Sequence, residues 1–408
     1  MPLSRRQIYR RRRVAVFGGL AVLLGTGFYL PFTLLAPLSA HAAQVLPWQA
    51  PVTAAAELDW PDYGASAIGA IGYPGVLATS GDAEPQSIAS ITKVITALVV
   101  LQEKPLALDE AGPEVTTVSA DVGLYNAYLA RNGKVEPVRP GLVLTERQLL
   151  ELTLVASANN YTATLVNWAF GSEEAFLPVA QAWLGDHSLT STTLTDATGM
   201  NPENRSTAAD LIELAKIALA DPIVSAIVAT QHISVDRVGE IDNTNEILGT
   251  DGVRGIKTGT LDEAGACLLF AADYLVGTTT VTVVGVILGG EDHPSLDVDV
   301  LALLATAHSG FHEVELTAAG ATYATYSTEW GDESDVVSTA SASVVLWADT
   351  PISVLVEAKD VTLEEADTEV GTLEFTVGSQ HVEVPLELAS DIDDPGAWWR
   401  LTHPTELF

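Results

Sequence analysis

Three short segments carry side chains whose types and spacing suit covalent chemistry. In Ala89-Ser90-Ile91-Thr92-Lys93, which opens an apolar stretch, a hydroxyl and an amine stand three residues apart. On a helix that spacing puts both groups on one face, one turn from each other. A serine becomes a useful nucleophile only when a base takes its proton. A lysine serves as that base only when burial or a neighbouring cation lowers its pKa. Alone, the pair also has a plainer reading as a solvent-facing hydrogen bond. The second segment, Ser157-Ala158-Asn159, falls where one apolar helix ends and another begins, a place where small polar residues ordinarily act as caps. The third, Lys257-Thr258-Gly259-Thr260, leads into β-type runs. The chain has only six lysines in 408 residues, and Lys93 and Lys257 both lie inside these motifs.

Ser-x-x-Lys, Ser-x-Asn and Lys-Thr-Gly, in that order and 67 and 100 residues apart, match the three-part signature of penicillin-binding proteins and serine β-lactamases. Four neighbouring stretches narrow the match: Thr198-Gly199-Met200-Asn201, Asp242-Asn243-Thr244-Asn245, Gly255-Ile256-Lys257-Thr258-Gly259 and Asp262-Glu263-Ala264-Gly265. Together they resemble the low-molecular-weight D-alanyl-D-alanine carboxypeptidases. Val370-Gly371-Thr372-Leu373-Glu374-Phe375 with Val384-Pro385-Leu386 resembles that family's small β domain, so the resemblance covers roughly residues 60 to 390.

The resemblance implies acyl transfer on a peptidoglycan stem peptide ending in D-Ala-D-Ala, with β-lactam antibiotics as covalent inhibitors and no metal or other cofactor. Ser90 is the implied nucleophile, Lys93 its general base and Ser157 a proton relay. Asn159, Lys257, Thr258, Gly259 and Thr260 are the implied substrate-binding residues. One departure stands out. Relatives commonly place an arginine just after the Gly-Gly that closes the strand following the lysine motif. Here that stretch reads Gly289-Gly290-Glu291-Asp292-His293-Pro294-Ser295, which offers only His293. The substrate carboxylate is then left to Lys257, Thr258, Thr260 and Arg254. The alternatives are a serine β-lactamase, a D,D-endopeptidase of identical chemistry, and a catalytically dead wall-binding or β-lactam-sensing module. A β-lactamase needs a deacylating carboxylate in a Glu-x-x-Leu-Asn-like loop. The stretch Gly185 to Ser206 supplies Asp196 and Glu203 but no such sequence.

The elements that must position these residues form a mixed α/β pattern. Ile91, Val94, Ile95 and Leu98 follow helical spacing, as do Leu149, Leu150, Leu152 and Leu154 less cleanly. Thr145 with Gln148 predicts a capping box, and Ser206 or Thr207 caps a helix through Leu211, Leu214, Ala215 and Ala218. Cys267 to Leu275 and Thr279 to Leu288 predict a hairpin turned at Val276-Gly277. The expected organisation is a penicillin-binding protein/β-lactamase-like domain over 58–313, a helical cluster on an antiparallel sheet. A small all-β domain over 314–390 and a tail over 391–408 follow. The β domain is read from runs at Val344 to Trp347, Ile352 to Val356, Gly371 to Val377 and His381 to Leu388. His308 and His312, four apart, have the spacing of two zinc ligands on one helix face, but no third ligand cluster accompanies them. Cys267 reads as a small strand hydrophobe.

The N-terminus points to export. Arg5, Arg6, Arg10, Arg11, Arg12 and Arg13 precede a charge-free run from Val14 to Leu38, which the positive-inside rule orients with its arginines in the cytoplasm. Ala40-His41-Ala42 before Ala43 resembles a cleavage site, yet the run is long enough to span a bilayer. Residues 1–43 are therefore a signal peptide or a signal anchor, followed by a linker over 44–57, and the destination is the extracytoplasmic face of the membrane or the cell wall. Trp398-Trp399 suits either a membrane interface or a cap on the β domain. From Ala43 onward, 13 basic residues face 53 acidic ones. A surface that negative repels phosphate backbones and argues against nucleic acid as a partner.

Overall fold

A computed structural model describes residues 4–408. The chain divides into two compact units. The larger comprises 53–312 with 347–349; the other comprises 1–52, 313–346 and 350–408.

The larger unit is built on a five-stranded antiparallel sheet. Its strands are β1 (Ala65–Ala70), β2 (Ala78–Gly81), β3 (Val253–Leu261), β4 (Gly265–Val276) and β5 (Thr279–Gly290), in the order β3-β4-β5-β1-β2. β4 and β5 form the predicted hairpin, with Val276 opposite Thr279 and the turn made by Gly277 at φ 58°. β3 lies at one edge, so part of its backbone is free to bond something other than a strand.

Five helices matter for the site: α1 (Thr92–Glu103), α2 (Glu146–Leu154), α3 (Asn159–Phe170), α4 (Ala208–Ala220) and α5 (His293–Ser309). Every residue of α1 from Thr92 to Leu101 is buried. A helix buried on all sides must be a central one, and this one is packed by α2, α3 and α4. Thr145 and Gln148 form the predicted capping box on α2, a device worth about 1 kcal/mol. Of the two candidates at the start of α4, Thr207 is the cap. The main core joins these helices to alternate residues of the hairpin, Cys267, Leu269 and Ala271 on β4 with Val284, Val286 and Leu288 on β5. Helix α5 ends at Ser309 and a strand begins at Phe311, so His308 and His312 do not share a helix face. His308 instead stacks on Tyr274, with ring centroids 4.5 Å apart.

The other unit carries a six-stranded antiparallel sheet. After the two-residue strand Gln44–Val45 come β6 (Thr322–Ser327), β7 (Glu333–Ser338), β8 (Ile352–Ala358), β9 (Glu369–Val377) and β10 (Gln380–Leu388). Their order is Gln44–Val45, β6, β7, β10, β9, β8. Tyr326, Leu346, Leu373, Phe375, Leu386 and Leu388 are fully buried in its core. The segment read as a linker thus begins as an edge strand, because Gln44 and Val45 pair with Thr325 and Ala324. A helix of 30 residues, Arg5–Leu34, precedes it, and a short helix, Gly396–Thr402, lies in the tail.

Candidate active site

The first motif sits on a strained turn. Ala89 adopts φ 44°, in the left-handed region that non-glycine residues avoid, and begins the single 3-10 turn Ala89–Ile91 that runs straight into α1. Ser90 rides on that turn and Lys93 on the first turn of α1, and the three-residue spacing brings Lys93 Nζ within 2.8 Å of Ser90 Oγ. Lys93 Nζ also donates to the carbonyl of Thr198 at 2.6 Å.

Burial sets the charge state of this amine. Lys93 has no exposed surface, and desolvation pulls its pKa down to about 7, against the opposing pull of Asp196. Asp196 is itself engaged: its carboxylate accepts the backbone N–H groups of Thr198, Gly199 and Asn201, each at 2.6 Å. Lys257 is equally buried and is pushed well below the usual amine range, first by desolvation and then by Lys93 and Lys134. Two ammonium groups in one dry site disfavour each other, so a carboxylate entering beside Lys257 would draw the proton there and leave Lys93 neutral.

The second motif forms the turn between α2 and α3. Ser157 sits at φ 57° and Asn159 opens α3, its N–H donating to Lys134 O at 2.8 Å. Both side chains are nearly inaccessible. Asn159 Oδ1 has no hydrogen-bond partner, and Ser157 makes no side-chain hydrogen bond among the described residues. A buried polar atom left open in this way, as Asn159 Oδ1 is, is expensive.

Backbone and side-chain bonds tie this turn to the third motif. Thr244 N donates to Val155 O at 3.2 Å, and Thr244 Oγ1 lies 2.6 Å from Thr258 Oγ1. Lys257 Nζ donates to Thr244 Oγ1 at 3.3 Å. At the edge of β3, a Cβ on Gly259 would come within 3.2 Å of Ser90 N, so this strand runs directly alongside the serine turn. Ser90, Lys93, Lys257, Thr258 and Gly259 are thereby gathered in one place, with Asn159 and Ser157 on the turn bonded to it. Thr260 Oγ1 lies 2.7 Å from His293 Nε2 at the start of α5. Burial first, then Lys257, hold His293 below the usual histidine range, and its Nδ1 is buried without a partner. Arg254 does not serve as expected. Its guanidinium donates to Asp273 at 3.0 Å and to Ser225 at 3.3 Å, which commits it elsewhere on the sheet.

The family model described as D-alanyl-D-alanine carboxypeptidase (Peptidase_S11) matches residues 73–291, more than half of the chain. The chain belongs to the D-alanyl-D-alanine carboxypeptidase family. It is 31% identical over 189 residues to a D-alanyl-D-alanine endopeptidase of Pseudomonas aeruginosa, covering 45% of this chain and 58% of the relative. It is 26% identical over 343 residues to D-alanyl-D-alanine carboxypeptidase DacC of Escherichia coli, covering 80% and 83% respectively. The solved penicillin binding protein 5 from Haemophilus influenzae shares the fold over 86% of this chain and 100% of its own, with a TM-score of 0.57 at 17% identity. D-alanyl-D-alanine carboxypeptidase DacD from Francisella tularensis does so over 85% and 97%, with a TM-score of 0.59 at 18% identity.

Within this penicillin-binding fold, the sequence singled out Thr198-Gly199-Met200-Asn201 by resemblance but not its place against the serine turn. Asp196 shapes that loop, and Asn204 Nδ2 fastens it to α1 by donating to Thr92 Oγ1 at 3.1 Å. Asp-x-Thr-Gly is an Asx-turn signal that marks the loop but does not say what it touches. Gly199, at φ 82°, makes the closest approach: a Cβ there would sit 1.9 Å from Ala89 O. Gly199→Ala is expected to combine that clash with backbone strain of about 1–3 kcal/mol. The result is a melting temperature lower by several degrees and penicillin acylation slowed at least tenfold. Acylation at the wild-type rate would show that Gly199 does not hold the serine turn.

Proposed function

We propose that this chain removes the terminal D-alanine from peptidoglycan stem pentapeptides through an acyl-enzyme on Ser90. The observation that carries the reading is the 2.8 Å approach of Ser90 Oγ to an amine that is fully buried and shifted toward neutrality. Neutral Lys93 takes the proton as Ser90 Oγ attacks the penultimate carbonyl carbon. Collapse of the tetrahedral intermediate breaks the bond to the terminal D-alanine, whose amine receives a proton relayed by Ser157. Water then hydrolyses the ester. The N–H groups of Ser90 and Thr260 receive the oxyanion, each such donor being worth about 3–4 kcal/mol in comparable sites. Asn159 holds the substrate backbone from the turn between α2 and α3. Lys257, Thr258 and Thr260 hold the terminal carboxylate on the β3 edge, alongside Gly259. Covalent capture by β-lactams follows from the same groups.

Asp196 does not supply the carboxylate of a β-lactamase, because three backbone N–H groups already occupy it, and Glu203 is exposed. Deacylation of β-lactams is therefore slow in this reading. An extracytoplasmic location belongs to the same reading, supported by the apolar N-terminal helix and the arginines that precede its apolar run.

The carboxylate pocket sets an expectation for kinetics. With Arg254 committed to Asp273 and His293 held toward its neutral form, the pocket offers hydrogen bonds but little charge beyond Lys257. KM for diacetyl-L-Lys-D-Ala-D-Ala is expected to be about tenfold above that of arginine-bearing relatives, equivalent to about 1.4 kcal/mol. His293→Arg should recover most of that difference with little change in kcat. Release of free D-alanine from this peptide tests the carboxypeptidase reading. Cleavage of cross-linked dimeric muropeptides in preference to it would assign an endopeptidase instead, and an ordinary KM would refute the weakened pocket.

A further inference from the structure

The residues just before Ala43 belong to the C-terminal domain. A leader cut after Ala42 would be expected to hang free of the fold, but Thr33, Ala36 and His41 are all buried. His41 forms a two-way backbone bridge with Val361, N–H to O at 2.7 Å and the reverse at 3.0 Å. Its ring packs edge-on against Trp330, which in turn packs on Trp399. Arg400, locked to Asp394 at 2.6 Å, donates to the carbonyl of Ala36 at 2.6 Å in a buried bond. Downstream, Leu46 N donates to Tyr323 O, and Trp48 packs against the core ring of Phe375. Cleavage after Ala42 would leave Val361 with an open N–H and C=O, and Arg400 without its buried acceptor.

The same tail also grips the end of the helix Arg5–Leu34. Tyr29 OH donates to Leu401 O at 2.6 Å, and Phe28, Phe32 and Phe408 stack in succession at 5.4 and 4.6 Å. The end of the helix is thereby joined to the domain through apolar rings and one hydrogen bond. Leu35, Trp398 and Phe408 remain 81%, 79% and 69% exposed at this junction. The 21 residues from Val14 to Leu34 span roughly 30 Å at the helical rise, which equals the hydrocarbon thickness of a bilayer. With the arginines on the cytoplasmic side, the junction falls at the outer headgroup layer, where tryptophan is favoured.

We propose that the N-terminal segment is retained as a membrane anchor and that the C-terminal domain, clasping it through residues 36–48 and 396–408, seats Leu35, Trp398 and Phe408 in the outer lipid interface. The occupant of this surface is a lipid bilayer. The inference stands apart from the enzymatic reading and is tested without assaying activity. The full chain is expressed in a bacterial host, its membranes are washed with carbonate, and the intact mass of the protein is measured. Retention of residues up to Ala42 in the carbonate-resistant fraction is expected. A mature N-terminus near Ala43, or release into the soluble fraction, overturns the proposal. The detergent-purified protein is then reconstituted into phosphatidylcholine vesicles brominated near the headgroup. Tryptophan quenching that Trp398→Phe reduces severalfold supports the seating. Fluorescence indifferent to the bromines shows that the domain stands clear of the bilayer and overturns that half.

Discussion

Ser90→Ala is expected to abolish covalent capture of penicillin and to lower D-alanine release by about a million-fold, the scale seen when a serine nucleophile is removed from a comparable machinery. The loss should be this complete because no other side-chain hydroxyl among the described residues is bonded to Lys93. Ser90 Oγ is the side-chain oxygen bonded to Lys93, while Ser157 makes no side-chain hydrogen bond among the described residues and sits on a separate turn. The substitution deletes a half-exposed hydroxyl and leaves Lys93 its bond to Thr198 O, so the fold should survive with a stability change of about 1 kcal/mol. Labelling with a fluorescent penicillin, intact mass and thermal unfolding together make the check. Wild type should carry a long-lived adduct and the variant none, with similar melting temperatures. An adduct on the variant would assign another nucleophile. Rapid loss of label from wild type would restore the β-lactamase reading, and an unlabelled wild type the dead module.

Much of this site was legible because its chemistry is local. Ser90 and Lys93 meet through three residues of helix, and Ser157 and Asn159 share one turn, so short motifs suffice to find them. What the sequence concealed arises from contacts between distant residues. Gly199 meets Ala89 across more than 100 residues, and Thr244 bridges Val155 to Lys257, and no local period reports either pairing. The fate of Arg254 likewise depended on Asp273 lying across from it on the neighbouring strand. In the fold, the β4–β5 hairpin announced itself through long runs of apolar residues around a glycine turn. Strand β1, Ala65-Ser66-Ala67-Ile68-Gly69-Ala70, did not, because alanine and glycine carry little strand preference and its burial comes from its neighbours. Gln44 and Val45 were hidden for a related reason. A two-residue edge strand has no pattern of its own, and only the partner strand β6 defines it.

The pH dependence of acylation should report Lys93 directly. With its pKa brought down to about 7 by burial, the amine is half neutral near pH 7. The second-order rate constant for penicillin acylation is expected to fall about tenfold for each pH unit below 7 and to level off above it. Lys93→Met should cost about 10²–10⁴-fold in that rate constant, the usual range for a general base, and erase the dependence. Lys93→Arg should be no better, since a guanidinium stays protonated in this range. Stability supplies an independent reading of the same proton. The unfolded lysine binds a proton up to its model value of 10.5, whereas the folded one releases it near 7. Between those values the unfolded state holds more protons, so folding stability rises with pH, by about 1.4 kcal/mol per unit for this one group. Lys257 is shifted in the same direction, so Lys93→Met should flatten the slope without abolishing it, while raising stability at neutral pH by removing a buried amine. Denaturant titrations at pH 7, 8 and 9 would measure this. A variant with an unchanged slope and an unchanged acylation profile would mean that Lys93 is charged in the folded enzyme and that another group takes the serine's proton.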